Sequence, residues 1–230
     1  MQRKIRLMIG ILIMTGLIAG CWKVSKNLQK ELKEEMETIG EAEKSDRIVV
    51  LDAGHGGTDS GKVGINGVKE KDINLTITNS VKKILEKENI QVIMTRETDE
   101  QLAQSKVEDL KYRVSLMNEK KPSLAVSIHQ NSYPQESVRG PQIFYFAHSK
   151  EAKKAAEVMQ TELKNFDQEH AREIKGNTTY YMLKNTKSPI VIVECGFLSS
   201  PVEAGMLIDE AYQQKLAQAI GNGILKYVER

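Results

Sequence analysis

The sequence predicts a single α/β domain with an open, twisted, mostly parallel sheet of about six strands and helices on both faces. Short apolar runs alternate with longer segments of helical periodicity from residue 47 to the end of the chain. The runs are almost wholly apolar, as expected for strands that are covered on both faces. Active sites of such sheets usually lie beyond the carboxyl ends of the strands, so functional residues are expected there.

The elements follow in order along the chain. The predicted strands are RIVVLD (47–52), IQVIMT (90–95), SLAVSIH (123–129), PQIFYF (141–146), TTYYML (178–183) and PIVIVE (189–194). The predicted helices span residues 71–88, 108–120, 150–165 and 210–228. Each helical segment ends near glycine, asparagine, proline or a charged tail, as helices commonly do.

Residues 1–22 predict an export signal or a membrane anchor. Basic residues up to Arg6 precede an uncharged run that ends at Trp22. The run is shorter than the ~20 residues of a typical spanning helix, so cleavage and retention in the membrane both stay open. The IAGC sequence that ends at Cys21 also resembles a bacterial lipobox, which leaves lipidation open. In every case we expect the remainder of the chain on the outer side of the cytoplasmic membrane.

Residues 23–46 carry many charges of both signs and predict a helical stalk or linker. Leu28, Leu32 and Met36 are spaced as on one narrow helical face. The folded domain is therefore expected at residues 47–230. The whole chain has a net charge of only +2, which provides no electrostatic case for binding nucleic acid.

Two of the four histidines follow predicted strands. The first strand leads into AGHGG around His55, and the third leads into His129. Glycines on either side of His55 let the backbone turn sharply and leave the imidazole open to an ion or a substrate. A single histidine in such a place is more often bound to a loop carbonyl. The pair of histidines is what favours a metal site.

Two glutamates are further candidates for this site. Glu70 opens a predicted helix after a glycine-containing loop, where it can either complement the helix N-terminus or turn toward a metal. Glu194 ends the apolar strand PIVIV. A carboxylate at the mouth of a buried strand costs desolvation energy unless it is paired, solvated or used in catalysis. Glu194 is therefore the best candidate for a general base.

Two histidines and one carboxylate, with the fourth position left to water, form the ligand set of a catalytic zinc site. His55, Glu70 and His129 are thus predicted to bind one Zn²⁺ ion. Glu194 would accept a proton from the attacking water and return it to the leaving nitrogen, which completes an amide hydrolysis.

Two alternatives use the same segments. GGTDSGK, which ends at Lys62, has the glycine and lysine spacing of a phosphate-binding loop, but Val63 replaces the Ser or Thr that would bind magnesium. Cys195 follows Glu194 and is a formal candidate for a nucleophile. It lacks an assignable base, so we expect a buried packing cysteine.

Residues 47–230 resemble the zinc-dependent N-acetylmuramoyl-L-alanine amidases of the Amidase_3 type. LDAGHGG, the acidic residue of GVKEKDINL, SIHQNS and VECGFLSSP occur in the order of that family. The resemblance implies that His55, Glu70 and His129 are metal ligands and that Glu194 is the catalytic glutamate. It also implies cleavage of the amide between N-acetylmuramic acid and the L-alanine of the peptidoglycan stem peptide.

The arrangement of a hydrophobic segment and one catalytic domain resembles the sporulation amidases that help to form muramic-δ-lactam in spore cortex. An accessory or activating protein is expected, because no targeting module is recognisable in the sequence. The competing hypothesis is a non-catalytic peptidoglycan-binding protein of the same fold. Glu194 distinguishes the two hypotheses, because a binding protein needs no base beside an open metal position.

Overall fold

The computed structural model describes residues 14, 16, 20–33 and 47–229. Contacts divide the chain into two units, Met1–Ser45 and Asp46–Arg230. In the first unit the described residues are helical and exposed. No helix in the described part of the chain is long and apolar enough to cross a bilayer. Most of the expected export or anchor segment lies outside the described residues.

The second unit alternates strands and helices. The strands are β1 (Ile48–Ala53), β2 (Gln91–Met94), β3 (Leu124–Asn131), β4 (Gln142–Phe146), β5 (Lys175–Asn177) and β6 (Ile190–Phe197). The helices are α1 (Glu70–Lys87), α2 (Lys106–Lys120), α3 (Lys150–Phe166), α4 (Tyr181–Asn185), α5 (Pro201–Met206) and α6 (Glu210–Val228). All four predicted helices and five of the six predicted strands are confirmed, with bounds that differ by a few residues.

The six strands form one mixed sheet in the order β2-β1-β3-β6-β4-β5. Strands β2, β1, β3 and β6 are mutually parallel, whereas β4 is antiparallel to β6 and parallel to β5. The mostly parallel sheet is thus confirmed. Because β3 lies between β1 and β6, the carboxyl ends of these three strands are adjacent, and the loops that leave them share one region.

Helices cover both faces of the sheet, as predicted. Val49 and Leu51 of β1 belong to the core cluster formed with α1, α3 and α6, whereas Val50 packs with α2 and α4 on the other face. Side chains of a strand alternate between its two faces, so a wholly apolar strand contributes to both clusters.

The strand predicted at residues 178–183 is wrong, because this segment turns and then forms the short helix α4. Asn177 accepts hydrogen bonds from the backbone N–H groups of Thr179 and Tyr180, and this local turn prevents an extended chain. Met182 and Leu183 are both buried, a pattern that one turn of helix produces and that an alternating strand does not. The fifth strand is formed earlier in the chain, by β5.

Candidate metal centre and active site

His55 lies just beyond the carboxyl end of β1 and has a left-handed backbone conformation, with φ of 64°. Arg113 stabilises this conformation by donating a hydrogen bond of 2.7 Å to the carbonyl of His55. The two ring nitrogens face different carboxylates. Nδ1 is 2.9 Å from Asp59 Oδ2, and Nε2 is 3.2 Å from Glu70 Oε2.

Glu70 is the first residue of α1, but its carboxylate points into the protein and is almost fully buried. The backbone N–H of Lys62 donates to Oε2 over 2.8 Å, and that of Gln130 donates to Oε1 over 3.1 Å. Burial acts to raise the pKa of Glu70, but hydrogen bonds to His129 and His55 hold it well below its usual value. The carboxylate is therefore ionised and available to a cation.

His129 belongs to β3, and its ring packs directly against Gly54 of the neighbouring strand end. Its Nδ1 atom is 2.9 Å from Glu70 Oε1, and its ring centroid is 5.0 Å from that of His55. Burial acts to lower the pKa of His129, but the Glu70 carboxylate raises it overall. One ligand atom from each of His55, Glu70 and His129 lies within 4.8 Å of the others, so the three side chains can hold a single metal ion.

Glu194 of β6 is paired in register with His129 across the parallel ladder. Its Oε2 atom is buried and has no hydrogen-bond partner among the described residues. Burial raises the pKa of Glu194 to about 7, and Glu70 adds to the increase, while His129 and His55 act to lower it. An unpartnered carboxylate beside three candidate metal ligands is available for proton transfer.

The four candidate residues line one open cleft of about 500 Å³. Its remaining walls are polar or aromatic and include Lys62, Lys106, Gln130, Asn131, Ser132 and Tyr180. A second cavity, of about 340 Å³, adjoins the cleft and shares His55 and His129 with it. The structure thus brings together all the residues that the sequence singled out, with space on two sides for a substrate.

The buried Arg96 and Lys71 and the exposed Asp99 hold the loop that carries His55. Arg96 donates to the carbonyls of Ala53 and Gly54 over 2.8 and 3.1 Å. Asp99 accepts from the backbone N–H of Gly57 over 3.0 Å and forms an ion pair with Lys71 at 2.5 Å. These hydrogen bonds and this ion pair hold the loop that carries His55 in place.

Two residues at the site carried no clear signal in the sequence. Asp59 contacts His55, and it stands in the glycine-rich loop only four residues further along the chain. Asn74 lies one helical turn beyond Glu70 and donates to the Gly54 carbonyl over 3.1 Å. Histidine–carboxylate spacing along the loop could have indicated Asp59, whereas the contact of Asn74 depends on how α1 packs.

The alternatives considered from sequence lack the required geometry. Helix α1 begins at Glu70, well beyond Lys62, and the Lys62 amide donates to a carboxylate instead of facing open space. In a phosphate-binding loop, by contrast, the helix begins directly after the lysine and the backbone N–H groups face the space that the phosphate occupies. Cys195 is fully buried in the core, and burial raises the pKa of its thiol far above the usual value. It is a packing residue, as expected.

Comparison with known proteins assigns the chain to the hydrolases that cleave amide bonds. Residues 49–226 match the Amidase_3 family, described as N-acetylmuramoyl-L-alanine amidase, and the chain belongs to this family. The predictions of the family, the fold and the amidase activity are confirmed. The metal-ligand roles of His55, Glu70 and His129 and the catalytic role of Glu194 stay predictions.

Three relatives illustrate the similarity. The germination-specific N-acetylmuramoyl-L-alanine amidase of Bacillus subtilis (strain 168) is 39% identical over 191 residues, which cover 80% of each chain. The CwlD amidase of Clostridioides difficile, solved in complex with the GerS lipoprotein, is 38% identical with a TM-score of 0.76 over 80% of this chain and 98% of that one. The catalytic domain of CwlV from Bacillus (Paenibacillus) polymyxa is 34% identical with a TM-score of 0.73 over the same shares.

Proposed function

We propose that this amidase uses one zinc ion, held by His55, Glu70 and His129, to cleave the amide between N-acetylmuramic acid and the L-alanine of the peptidoglycan stem peptide. Glu194 is the catalytic base. The observation that carries the proposal is the meeting of three ligand atoms within 4.8 Å in a cleft that also holds an unpartnered carboxylate.

The donor set fits zinc. Two imidazoles and one carboxylate are typical of catalytic zinc sites, whereas structural sites are usually closed by cysteines. The described part of the chain has its buried cysteine in the core, with its thiol directed at a backbone carbonyl of its own strand. When bound, zinc polarises the scissile carbonyl and lowers the pKa of a coordinated water to ~7.

Glu194 performs the proton transfers. Its Oε2 atom has no partner among the described residues, so the atom is free to accept a proton from the attacking water. The same carboxyl group then donates that proton to the nitrogen of L-alanine as the amide bond breaks. Glu194 lines the open cleft of about 500 Å³, so its carboxylate is accessible to a substrate that enters the cleft.

Digestion of purified peptidoglycan tests the reaction. Protein loaded with zinc should release stem peptides whose new N-terminus is L-alanine. Glu194→Gln should lower the rate by ~10²- to 10⁴-fold, the usual contribution of a general base, while the zinc content stays at the wild-type level. Loss of zinc in Glu194→Gln would contradict the separation of base and ligand roles.

The ligand roles are tested separately by metal content. His55→Ala, Glu70→Ala and His129→Ala should each remove a zinc ligand and lower the zinc content of the purified protein. Glu169→Gln, a change at an exposed residue away from the cleft, is the matched control and should keep its zinc. A Glu70→Ala protein with full zinc content would exclude Glu70 from the ligand set.

The names of two relatives support a proposed role in maturation of the spore cortex. One relative is called germination-specific, and another was solved with a lipoprotein partner. We propose that the N-terminal segment directs this enzyme to the outer side of the cytoplasmic membrane. There the enzyme works with an accessory protein. Its product supplies the peptide-free muramic acid that is converted to muramic-δ-lactam.

Muropeptide analysis of spores tests that role. A strain without the gene should produce cortex that lacks muramic-δ-lactam, and wild-type protein should restore it. The Glu194→Gln protein should not restore it, because the peptide stays attached. Cortex with unchanged muramic-δ-lactam in the deletion strain would exclude this role and leave the hydrolytic activity untouched.

A further inference from the structure

The two ring nitrogens of His55 face two different carboxylates. Nε2 lies 3.2 Å from Glu70 Oε2, on the side of the candidate metal centre. Nδ1 lies 2.9 Å from Asp59 Oδ2, on the opposite side of the ring. A carboxylate that accepts a hydrogen bond at one nitrogen holds the proton there and leaves the lone pair on the other nitrogen.

Asp59 is itself held in place by several contacts. Its backbone and that of Gly56 exchange two hydrogen bonds of 3.0 Å, which close a tight turn after His55. Its second oxygen, Oδ1, accepts from the Gly61 amide over 3.2 Å and from the Lys106 ammonium over 2.7 Å. Only Oδ2 remains for the imidazole, so the direction of the Asp59–His55 contact is determined by the surrounding loop.

The two histidine rings are similarly exposed, at 25% for His55 and 20% for His129. His55 extends from a backbone with a positive φ, and its ring lies beside Gly61, where an added Cβ would be 2.7 Å away. The ring of His129 instead packs against Gly54, where an added Cβ would lie only 2.3 Å away. Packing thus restricts both rings, but it does not decide which nitrogen of His55 carries the proton, whereas the contact with Asp59 can.

We propose that Asp59 is a positioning residue that holds His55 with its proton on Nδ1 and its Nε2 lone pair directed at the metal, while Lys106 and the Gly61 amide orient Asp59. The inference rests on the proposed zinc site. It concerns Asp59, which makes no contact with the metal in this scheme and acts only through the histidine.

Zinc affinity of the full chain in detergent, measured by competition with a chromophoric chelator, tests the inference. Asp59→Ala should lower the association constant by ~10- to 100-fold, the usual effect of removing a carboxylate behind a metal-bound histidine. Asp59→Asn keeps an acceptor oxygen without the charge and should lose less.

Asp99→Ala is the matched control. Asp99 accepts a hydrogen bond from Gly57 in the same loop but touches neither histidine, so its loss reports on loop packing alone. This variant should lose clearly less zinc affinity than Asp59→Ala, because the contact between Asp59 and His55 stays in place. An equal loss of affinity in Asp59→Ala and Asp99→Ala would mean that both residues only hold the loop, and would overturn the inference.

Nuclear magnetic resonance of ¹⁵N-histidine protein loaded with zinc separates positioning from simple stability. The Nδ1 proton of His55 should exchange slowly with water in the wild type and in Asp99→Ala, and quickly in Asp59→Ala. Unchanged exchange and affinity in Asp59→Ala would overturn the inference. A wild-type protein that takes up no zinc would instead overturn the metal site, a failure that is visible before any variant is compared.

Discussion

At the scale of residues, the site depends on two glycines as much as on the side chains of the candidate ligands. A Cβ atom at Gly54 would lie 2.3 Å from the His129 ring. A Cβ atom at Gly61, whose φ is 65°, would lie 2.5 Å from Glu70 Oε2 and 2.7 Å from the His55 ring. These two glycines leave the space in which the three candidate ligands approach one another.

Gly54→Ala should therefore displace His129. The added methyl group has no room, so we expect a loss of about 1–3 kcal/mol in the free energy of unfolding, together with a reduced zinc content. Urea denaturation and metal analysis measure the two effects. The control is Gly205→Ala in α5, where a Cβ would meet nothing within 4 Å. It should be neutral or stabilising by up to ~1 kcal/mol. Full zinc content in Gly54→Ala would show that a methyl group at position 54 does not displace the His129 ring.

At the scale of elements, one buried carboxylate connects the strands beneath the site to α2. Asp52 of β1 forms an ion pair of 2.6 Å with Arg113 and accepts hydrogen bonds from Thr95 and Ser127. Arg113 also donates to the carbonyl of His55. Burial acts to raise the pKa of Asp52, but Arg113 and the two hydroxyl groups lower it to about 2. The fold therefore stabilises the ionised form of Asp52.

Stability should consequently fall in acid. A pKa that is depressed in the folded state contributes stability above the unfolded value and loses it as the pH falls toward the folded value. For Asp52 the loss should amount to about 2 kcal/mol between about pH 5 and pH 2. Urea denaturation across this range measures it, and Asp52→Asn should show a correspondingly shallower dependence. Parallel curves for the two proteins would contradict this contribution.

Arg113→Met tests the same ion pair from its other member. The variant leaves the Asp52 carboxylate buried without its cation, and we expect a loss of about 3–5 kcal/mol in the free energy of unfolding. The exposed Lys120 forms an ion pair with its neighbour Glu119 at the surface, and Lys120→Met should cost at most about 1 kcal/mol. Similar losses for the two variants would show that burial of the Asp52 pair is unimportant.

The Asn177 side chain stabilises the turn that precedes helix α4. Asn177 accepts from the backbone N–H groups of Thr179 and Tyr180 at 2.8 and 2.7 Å. Asn177→Ala should lower the free energy of unfolding by about 1 kcal/mol, the usual net value of a lost hydrogen bond, and Asn177→Asp should restore most of it. Chemical denaturation measures both. An alanine variant as stable as the wild type would show that packing of Met182 and Leu183 suffices.

At the scale of the whole molecule, the chain separates into two units, and the family match at 49–226 lies within the second. That unit has both core clusters, the complete sheet and every candidate active-site residue. A domain with its own core can in principle fold alone.

A chain that begins at Arg47 should therefore fold and hydrolyse peptidoglycan. We expect the same thermal unfolding midpoint and the same rate on solubilised peptidoglycan as for the full chain, because every candidate metal ligand and Glu194 lie after Arg47. Calorimetry and peptide release measure these two quantities. Aggregation or inactivity of the shortened protein would show that the first 46 residues contribute to the catalytic domain.

Much of the site could be predicted from the sequence, because it depends on the local pattern of apolar and polar residues. Apolar runs predicted β1, β3 and β6; His55 follows the first of these strands, whereas His129 and Glu194 lie within the last few residues of the other two. A strand in a buried sheet is defined by its own side chains, so its position is a local property, whereas β3 and β6 continue past their predicted ends to Asn131 and Phe197. The helical segments were predicted for the same reason, whereas TTYYML failed because a turn at Asn177 outweighed the strand propensity of its residues.

The sequence by itself thus determined the fold class, the family, and which side chains stand at the ends of strands. Only the tertiary structure decided that β3 lies between β1 and β6 and that the Glu70 carboxylate points inward to meet the backbone of Gln130. The physical reason is that these features depend on contacts between segments far apart in the chain. Gly54 and His129, for example, meet only because two strands pair, and no pattern within either segment encodes their separation.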